Sequence, residues 1–457
     1  MVMKSKLFWI SMFVVCVVFI FIMVKNTSKV NDIVSVEGVI SSEKMLEDFE
    51  FVTETIFSIH PDPLRNFEGD WEVEVNRLRE SLKDPLTIDE FLLQLQQFVS
   101  KIGDAHTLVT TGENGERRIL PIMLNWVEDE LVVTKSLSSN FELGESVIRI
   151  GKLDVEVVNE KLGKFVSAEN QYWSKQMVSQ LLLDETYLKF LDVVEEGEVP
   201  LTVKGQNGET RVELVEPLSL ERIMALRDQD KNAQWYGWEI FEEEQVGYYF
   251  LSQCIVSEGY EKSVTDFFKN VIEQNINKVV LDLRDNGGGN SHVMYPFLQH
   301  LPVKFIREFE VQLKYSEEAS NQNGYEQKSG KEAFAGRLHK NVIKEPTFNG
   351  ELYVLVNNRT FSAATDFATI IHDNSLGIVV GEPTGGAPSA FGDLILVDVP
   401  NSKFILAVSH KEFLRPNKSF LNDNTLHPNI LIKKTTEDIH KQQDKYLQRV
   451  LEVINNN

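Results

Sequence analysis

Hydrophobic positions change their period along this chain, and each change marks a segment. Lys4 and Lys6 precede an uncharged, strongly apolar run from Leu7 to Val24, which Lys25 closes. As a helix rising about 1.5 Å per residue the run spans roughly 27 Å, the thickness of a bilayer core. A secretory signal peptide has a shorter apolar stretch and a small-x-small cleavage site, and Met23 to Thr27 offers none. The pattern predicts an uncleaved membrane anchor over 7–24 behind a short tail, 1–6, with the bulk of the chain outside the cytoplasm. Lys25 and Lys29 blur the charge asymmetry that sets orientation. A polar linker, 25–41, follows.

From Ser42 the period becomes helical. Leu46, Phe49, Val52, Ile56 and Ile59 recur three and four residues apart, and His60-Pro61-Asp62-Pro63 ends the run. A second helix is predicted over Trp71–Leu82. A third, over Thr87–Ile102, has the capping-box spacing of Thr87 and Glu90 and stops at Gly103. Asp104-Ala105-His106-Thr107 comes next, inside a helical segment bounded at 42–115. Over 116–220 the pattern turns strand-like. Short strands at 131–134, 147–150, 201–204 and 210–214 are punctuated by glycines, with helices near 155–165 and 176–190 between them. The remainder, 221–457, alternates buried strands (246–251, 278–283, 352–356, 377–380) with helices (260–274, 291–301, 362–372). That alternation implies a mostly parallel sheet with crossover helices. Strands near 395–399 and 404–408 and a terminal helix over 436–455 complete an α/β chain.

Composition narrows the function. A chain of 457 residues exceeds one compact core, so two or three domains are expected. The net charge of −23 opposes nucleic-acid binding and broad docking on anionic lipid. Cys16 and Cys254 form neither a disulfide framework nor a CxxC site, and HExxH and EF-hand patterns are absent. No metal or cofactor is expected.

Two turns could carry chemistry. Leu283-Arg-Asp-Asn-Gly-Gly-Gly-Asn290 joins a buried strand to a helix. Consecutive glycines let backbone N–H groups approach an anion, as in an oxyanion hole or a phosphate loop. The GxGxxG and P-loop patterns are missing, and a plain glycine-rich turn has the same composition. Asn357-Asn-Arg-Thr-Phe-Ser-Ala-Ala-Thr365 places Ser362 where a buried strand enters a helix. There a hydroxyl is exposed and the Ala363 N–H is free to stabilise an oxyanion, although serines at helix starts are mostly caps. A serine nucleophile needs a base, most often histidine. The chain has nine, and spacing alone does not choose among His106, His292, His372, His410 and His427. His60, beside Pro61, reads as structural.

Three ordered stretches resemble peptidase family S41, the tail-specific or C-terminal processing peptidases. They are Asp282-Leu-Arg-Asp-Asn-Gly-Gly-Gly-Asn290, Val354-Leu-Val-Asn-Asn-Arg-Thr-Phe-Ser-Ala-Ala364 and Val380-Gly-Glu-Pro-Thr-Gly-Gly386. Weaker likeness covers Ile59-His-Pro61 and Gly103-Asp-Ala-His-Thr107, and Leu143 to Ile150 is similar to the family's PDZ-like insert. The resemblance implies a ClpP/crotonase-like core, a PDZ-like β-rich module, Ser362 as nucleophile, and the amides of Ala363 and Gly288 as oxyanion donors. The processing branch uses a lysine base after the strand holding Val379 and Val380, but this loop, Glu382-Pro-Thr-Gly-Gly-Ala387, has none. It is similar instead to the branch related to tricorn protease, which implies His106 as base. An acidic third member is expected after Ser362, with Glu412 preferred and Asp423 competing, while Asp104 orients the His106 loop. The resulting expectation is a serine peptidase acting on peptide or unfolded protein. The competing expectation is a non-catalytic peptide- or lipid-binding protein on the same scaffold.

Overall fold

A computed structural model describes residues 38–111, 117–137, 140–227, 234–439 and 444–456. The apolar run 7–24 lies outside the described residues. Among them, no helix is long and apolar enough to cross a membrane.

The core is the parallel sheet that the βα alternation predicts. Strand Tyr236–Phe241 pairs antiparallel with Val246–Leu251. From there Lys278–Asp282, Glu351–Val356, Ile378–Gly381 and Ile430–Leu431 add on in parallel. Successive side chains on a strand face opposite ways, and both faces here are covered. Val279, Leu281, Leu352, Val354 and Val356 join one apolar cluster with helices Glu258–Glu273 and Ala363–Asp373. Val280, Tyr353 and Leu355 join another with the terminal helix Lys445–Asn456. Two-sided burial is why these strands read as continuous apolar runs.

The helical segment matches its prediction. Ser42–Ile59, Trp71–Ser81 and Ile88–Val99 are helices, and the Thr87–Glu90 capping box forms. A 3-10 turn, Ser100–Ile102, carries the third helix to Gly103 in the left-handed region. The next strand, Leu108–Thr111, pairs with Phe404–Ala407 in the second strand of the hairpin Ala390–Asp398/Phe404–Leu414. This pairing fastens the helical segment to the core. Asp48 adds to it, its buried carboxylate accepting from the N–H groups of Asn401 and Ser402 at the hairpin turn.

The middle module is a mainly antiparallel sheet with strands Thr210–Val215, Val199–Lys204, Ser146–Ile150, Glu130–Ser136 and Ile122–Val127 in that order. One expectation changes here. The single helix expected over 176–190 is two, Gln171–Leu181 and Glu185–Phe190. Asp184 breaks it by accepting from Thr186 N–H as an N-cap while its carboxylate holds Arg117. The helix expected over 291–301 is also shorter, a 3-10 turn followed by Met294–Leu298. Strands Glu310–Tyr315 and Gly330–Phe334, which extend the hairpin sheet, gave no clear pattern because nearly all of their residues keep partial or full contact with water instead of burying one face.

Candidate active site

The glycine turn and the serine turn leave neighbouring parallel strands at their C-terminal ends, where open α/β sheets place their sites. Side-chain and backbone bonds lash the two turns together. Asn357 Oδ1 accepts from Asp285 N–H at 3.0 Å, and Asn357 Nδ2 donates to Asp285 Oδ1 at 2.9 Å. Thr360 Oγ1 donates to the Leu283 carbonyl, and Phe361 N–H donates to the Asn286 carbonyl. Ser362 is thereby held at φ 52°, ψ −129°, a conformation that costs a non-glycine residue about 1–3 kcal/mol. It precedes helix Ala363–Asp373 and makes no cap hydrogen bond, so its hydroxyl is not the N-cap that composition alone would suggest. Gly288 packs directly on this turn. A Cβ there would fall 2.7 Å from Ser362 Cβ and 2.9 Å from Ala363 N. Behind the serine, Gly386 of the lysine-free loop approaches equally closely, its own Cβ position being 3.0 Å from Ser362 N.

Of the competing histidines, His106 is the one brought to Ser362. Its Nε2 lies 3.1 Å from Ser362 Oγ, although 256 residues separate them. The others are engaged elsewhere. His372 contacts Asp373 at 2.8 Å, His410 faces the Asp393 carbonyl, and His292 and His427 are exposed. The His106 ring stacks on Phe361 with centroids 4.7 Å apart, and Trp173 from the middle module stacks on the other face of Phe361 at 3.8 Å.

Asp104 organises the loop. Its Oδ1 accepts the His106 backbone N–H at 3.0 Å, and its Oδ2 accepts from His60 Nε2, Thr107 Oγ1 and Ser409 Oγ. His60 Nδ1 accepts from Asp62 N–H, so the hydrogen-bond network assigns the His60 ring proton to Nε2. Burial raises the Asp104 carboxyl, but the hydrogen bonds it accepts from His60 and Ser409, and its attraction to the His60 and His106 rings whenever these are protonated, outweigh it. They hold the group well below the usual carboxylate range. Burial pushes the His106 ring below its ordinary 6.5, against the opposing pull of Asp104, Asp393 and the Phe391 backbone. The ring is therefore kept neutral and able to accept a proton. Its Nδ1 is buried without a partner of hydrogen-bonding geometry, although the Phe391 backbone is near enough to favour the charged ring.

Two expected roles need correction. Glu412 is not in contact with His106. It is buried in the wall of the adjoining cleft with its carboxylate clamped by the Arg65 guanidinium, because that strand pairs it opposite Phe391 instead of beside the histidine ring. Asp423, its competitor, lies 3.6 Å from Arg415. Gly288 does abut Ser362, but its N–H already donates to Asn286 Oδ1 at 2.9 Å, so it is not free to receive an oxyanion in this arrangement. The Ala363 N–H, first in its helix, has no intrahelical acceptor.

Sequence reasoning missed Glu169 and Trp173 altogether. Both flank the start of a helix capped by Asn170, where an acid and an aromatic look like ordinary surface and core residues. Glu169 Oε1 accepts from Ala105 N–H at 3.1 Å. One donor atom each from Asp104, His106 and Glu169 lie within 4.8 Å of one another. That spacing could suit a cation, but the Asp104 oxygens are already taken by four protein donors.

The cleft beside this constellation has a volume of about 670 Å³ and is walled by Arg65, Glu68, Glu169, Phe391, Glu412 and Asp423 among others. It is roomy enough for side chains of a peptide.

Comparisons with known proteins agree with this architecture. Solved structures of mature CPAF are similar in fold. One, complexed with lactacystin, has a TM-score of 0.71 at 14% identity and covers 91% of this chain and 99% of its own. A second has a TM-score of 0.69 at 15% identity, with 90% and 97% covered. No curated protein matches the chain in sequence. The model of peptidase family S41 matches residues 245–432, a span that holds the glycine turn, Ser362 and the lysine-free loop but not His106. Over that span the chain is similar to peptidase family S41, and its fold is similar to that of the CPAF structures.

Proposed function

We propose that this chain is a serine peptidase in which Ser362 is the nucleophile and His106 its general base. The observation that carries the reading is the 3.1 Å approach of His106 Nε2 to Ser362 Oγ, on a serine held at positive φ ahead of a helix N-terminus. The Ser362 Oγ proton passes to Nε2 as Oγ bonds to the substrate carbonyl carbon. The carbonyl oxygen, now negative, is met by the Ala363 N–H and a second donor from the glycine run. Each such donor lowers the barrier by roughly 3 kcal/mol. The Nε2 proton then goes to the departing amine, and water repeats the cycle to release the acid. A lysine base has no place in this scheme, since the loop Glu382–Ala387 lacks one.

A non-catalytic peptide or lipid binder on the same scaffold would have no use for a neutral histidine poised on a strained serine. Labelling the full chain with a serine-reactive phosphonate, and locating the adduct by mass, separates the two readings. The peptidase reading expects an adduct on Ser362 that is lost in His106→Ala. No adduct in a folded sample would favour the binder. We further propose that 7–24 anchors the protein in a membrane with the peptidase outside the cytoplasm, where peptides or unfolded proteins would be its substrates.

A further inference from the structure

The Ser–His pair leaves two polar atoms unexplained. His106 Nδ1 and Glu169 Oε2 are both buried, and neither has a hydrogen-bond partner. Buried orphans are rare in native proteins, and these two belong to residues with donor atoms within 4.8 Å of each other. When Nε2 accepts the serine proton, the ring proton of neutral His106 must sit on Nδ1, which then needs an acceptor. Asp104 Oδ1 is 3.8 Å away but already accepts the His106 backbone N–H, Oδ2 accepts three further donors, and the Phe391 backbone lies near the ring without hydrogen-bonding geometry to Nδ1. Glu169 has a whole oxygen unused.

The segment that carries Glu169 is fixed in place. Ser167 Oγ donates to the Asp104 carbonyl at 2.6 Å, and Asn170 Nδ2 donates to the carbonyls of Gly385 and Asn424. Asn424 Nδ2 returns a bond to the Glu169 carbonyl. The middle module thus delivers a carboxyl group to the floor of the catalytic loop.

We propose that Glu169 is the positioning residue of His106: its carboxylate accepts the Nδ1 proton's hydrogen bond, aims Nε2 at Ser362 and balances the imidazolium formed during attack. This rests on the Ser–His reading above. In the step itself, the Ser362 proton moves to Nε2, Nδ1 keeps its own, and Glu169 gains none, so Glu169 acts only when ionised. Burial and the Asp104 charge push its carboxyl up to about 8. The other charges around the pair are Asp393 beside the ring and His60 behind Asp104. Across the cleft stand Glu68, Asp423 and the Arg65–Glu412 pair. Arg65 is committed to Glu412 and Asp62, so the surroundings favour retention of the Glu169 proton near neutrality.

The test is the rate of phosphonate labelling at Ser362 in the full chain across pH, for wild type, Glu169→Gln and Glu169→Asp. Wild type should rise twice, through His106 below pH 6.5 and again around pH 8. Glu169→Gln should keep the first rise, lose the second and be slower above it by about tenfold or more. Glu169→Asp should recover part of the second rise. Gln still accepts from Ala105 N–H, so a profile parallel to wild type, equal or uniformly lower, overturns the proposal. A second readout needs no turnover. In Ser362→Ala carrying carbon-labelled histidine, the His106 ring signals in NMR should shift a second time around pH 8, where Glu169 ionises, and Glu169→Gln should remove that shift; ring signals unchanged by Glu169→Gln also overturn the proposal. If wild type forms no adduct while this NMR shift appears, the peptidase reading has failed and the Glu169–His106 contact stands.

Discussion

Gly288→Ala puts one methyl group into the tightest contact of the site. The new Cβ would lie 2.7 Å from Ser362 Cβ, 2.9 Å from Ala363 N and 2.9 Å from the Phe361 carbonyl oxygen. None of these is the end of a flexible side chain, so the turns themselves must move apart. Overpacking of this kind costs about 1–3 kcal/mol. Alanine at φ +100° adds strain of about 1–3 kcal/mol. The sum, roughly 2–6 kcal/mol, is within the stability of ordinary proteins, about 5–15 kcal/mol, so a folded variant is expected. Activity should suffer more visibly. A displacement near 1 Å of a reacting group costs on the order of a hundredfold, and the serine and the first helix amide are the groups displaced. Urea unfolding and the phosphonate labelling rate measure the two effects separately. In a Ser362→Gly background one of the three contacts is gone, so the stability cost of Gly288→Ala should shrink by about 1 kcal/mol, a coupling that a double-mutant cycle reads directly. Labelling within threefold of wild type, with stability unchanged, would refute the close packing on which the site rests.

Further outcomes are expected. The lower of the two steps in wild-type labelling should be lost as pH drops through a value below 6.5, because burial depresses the His106 pKa. The same shift makes the unfolded chain the better proton binder below pH 6.5, so stability tied to His106 declines as pH falls there, measurable by thermal unfolding. Asp48→Ala should destabilise the fold by about 2–4 kcal/mol, since it orphans the Asn401 and Ser402 N–H groups. Residual labelling per folded molecule should be nearly unchanged, because Asp48 joins the helical segment to a distant hairpin turn. The full chain should stay with membranes through an alkaline carbonate wash, and deletion of 7–24 should release it; equal release of both would end the anchor proposal.

Local signals were legible where one element decides them. The Thr87–Glu90 box and Gly103 set the ends of the helix before His106, and that helix forms as its period predicts. The apolar runs at 278–283 and 352–356 read as buried strands because both of their faces are covered. The break at Asp184 was not legible. Its helix-capping bond competes with a continuous apolar period, and Arg117, 67 residues away, helps hold the carboxylate there. The acidic partner failed for a similar reason. Chain order favoured Glu412, but strand pairing turned it toward Arg65, and a carboxyl from the middle module came to lie beside Asp104 and His106 instead.

The sequence by itself determined the βα order of the core, the glycine and serine turns and the lack of lysine in the loop 382–387, since each depends on a few neighbouring residues and their backbone preferences. Only the tertiary structure decided which histidine meets Ser362, what holds Asp104, and where Glu169 and Glu412 point. Apart from the bonds within the Asp104–Thr107 turn, those are contacts across 44 to 347 residues, fixed by the pairing of Leu108–Thr111 with the core hairpin and by the seating of the middle module on the His106 loop. Such contacts leave no periodicity in the chain, because the energy that selects them comes from burial and hydrogen bonding between elements and not within them.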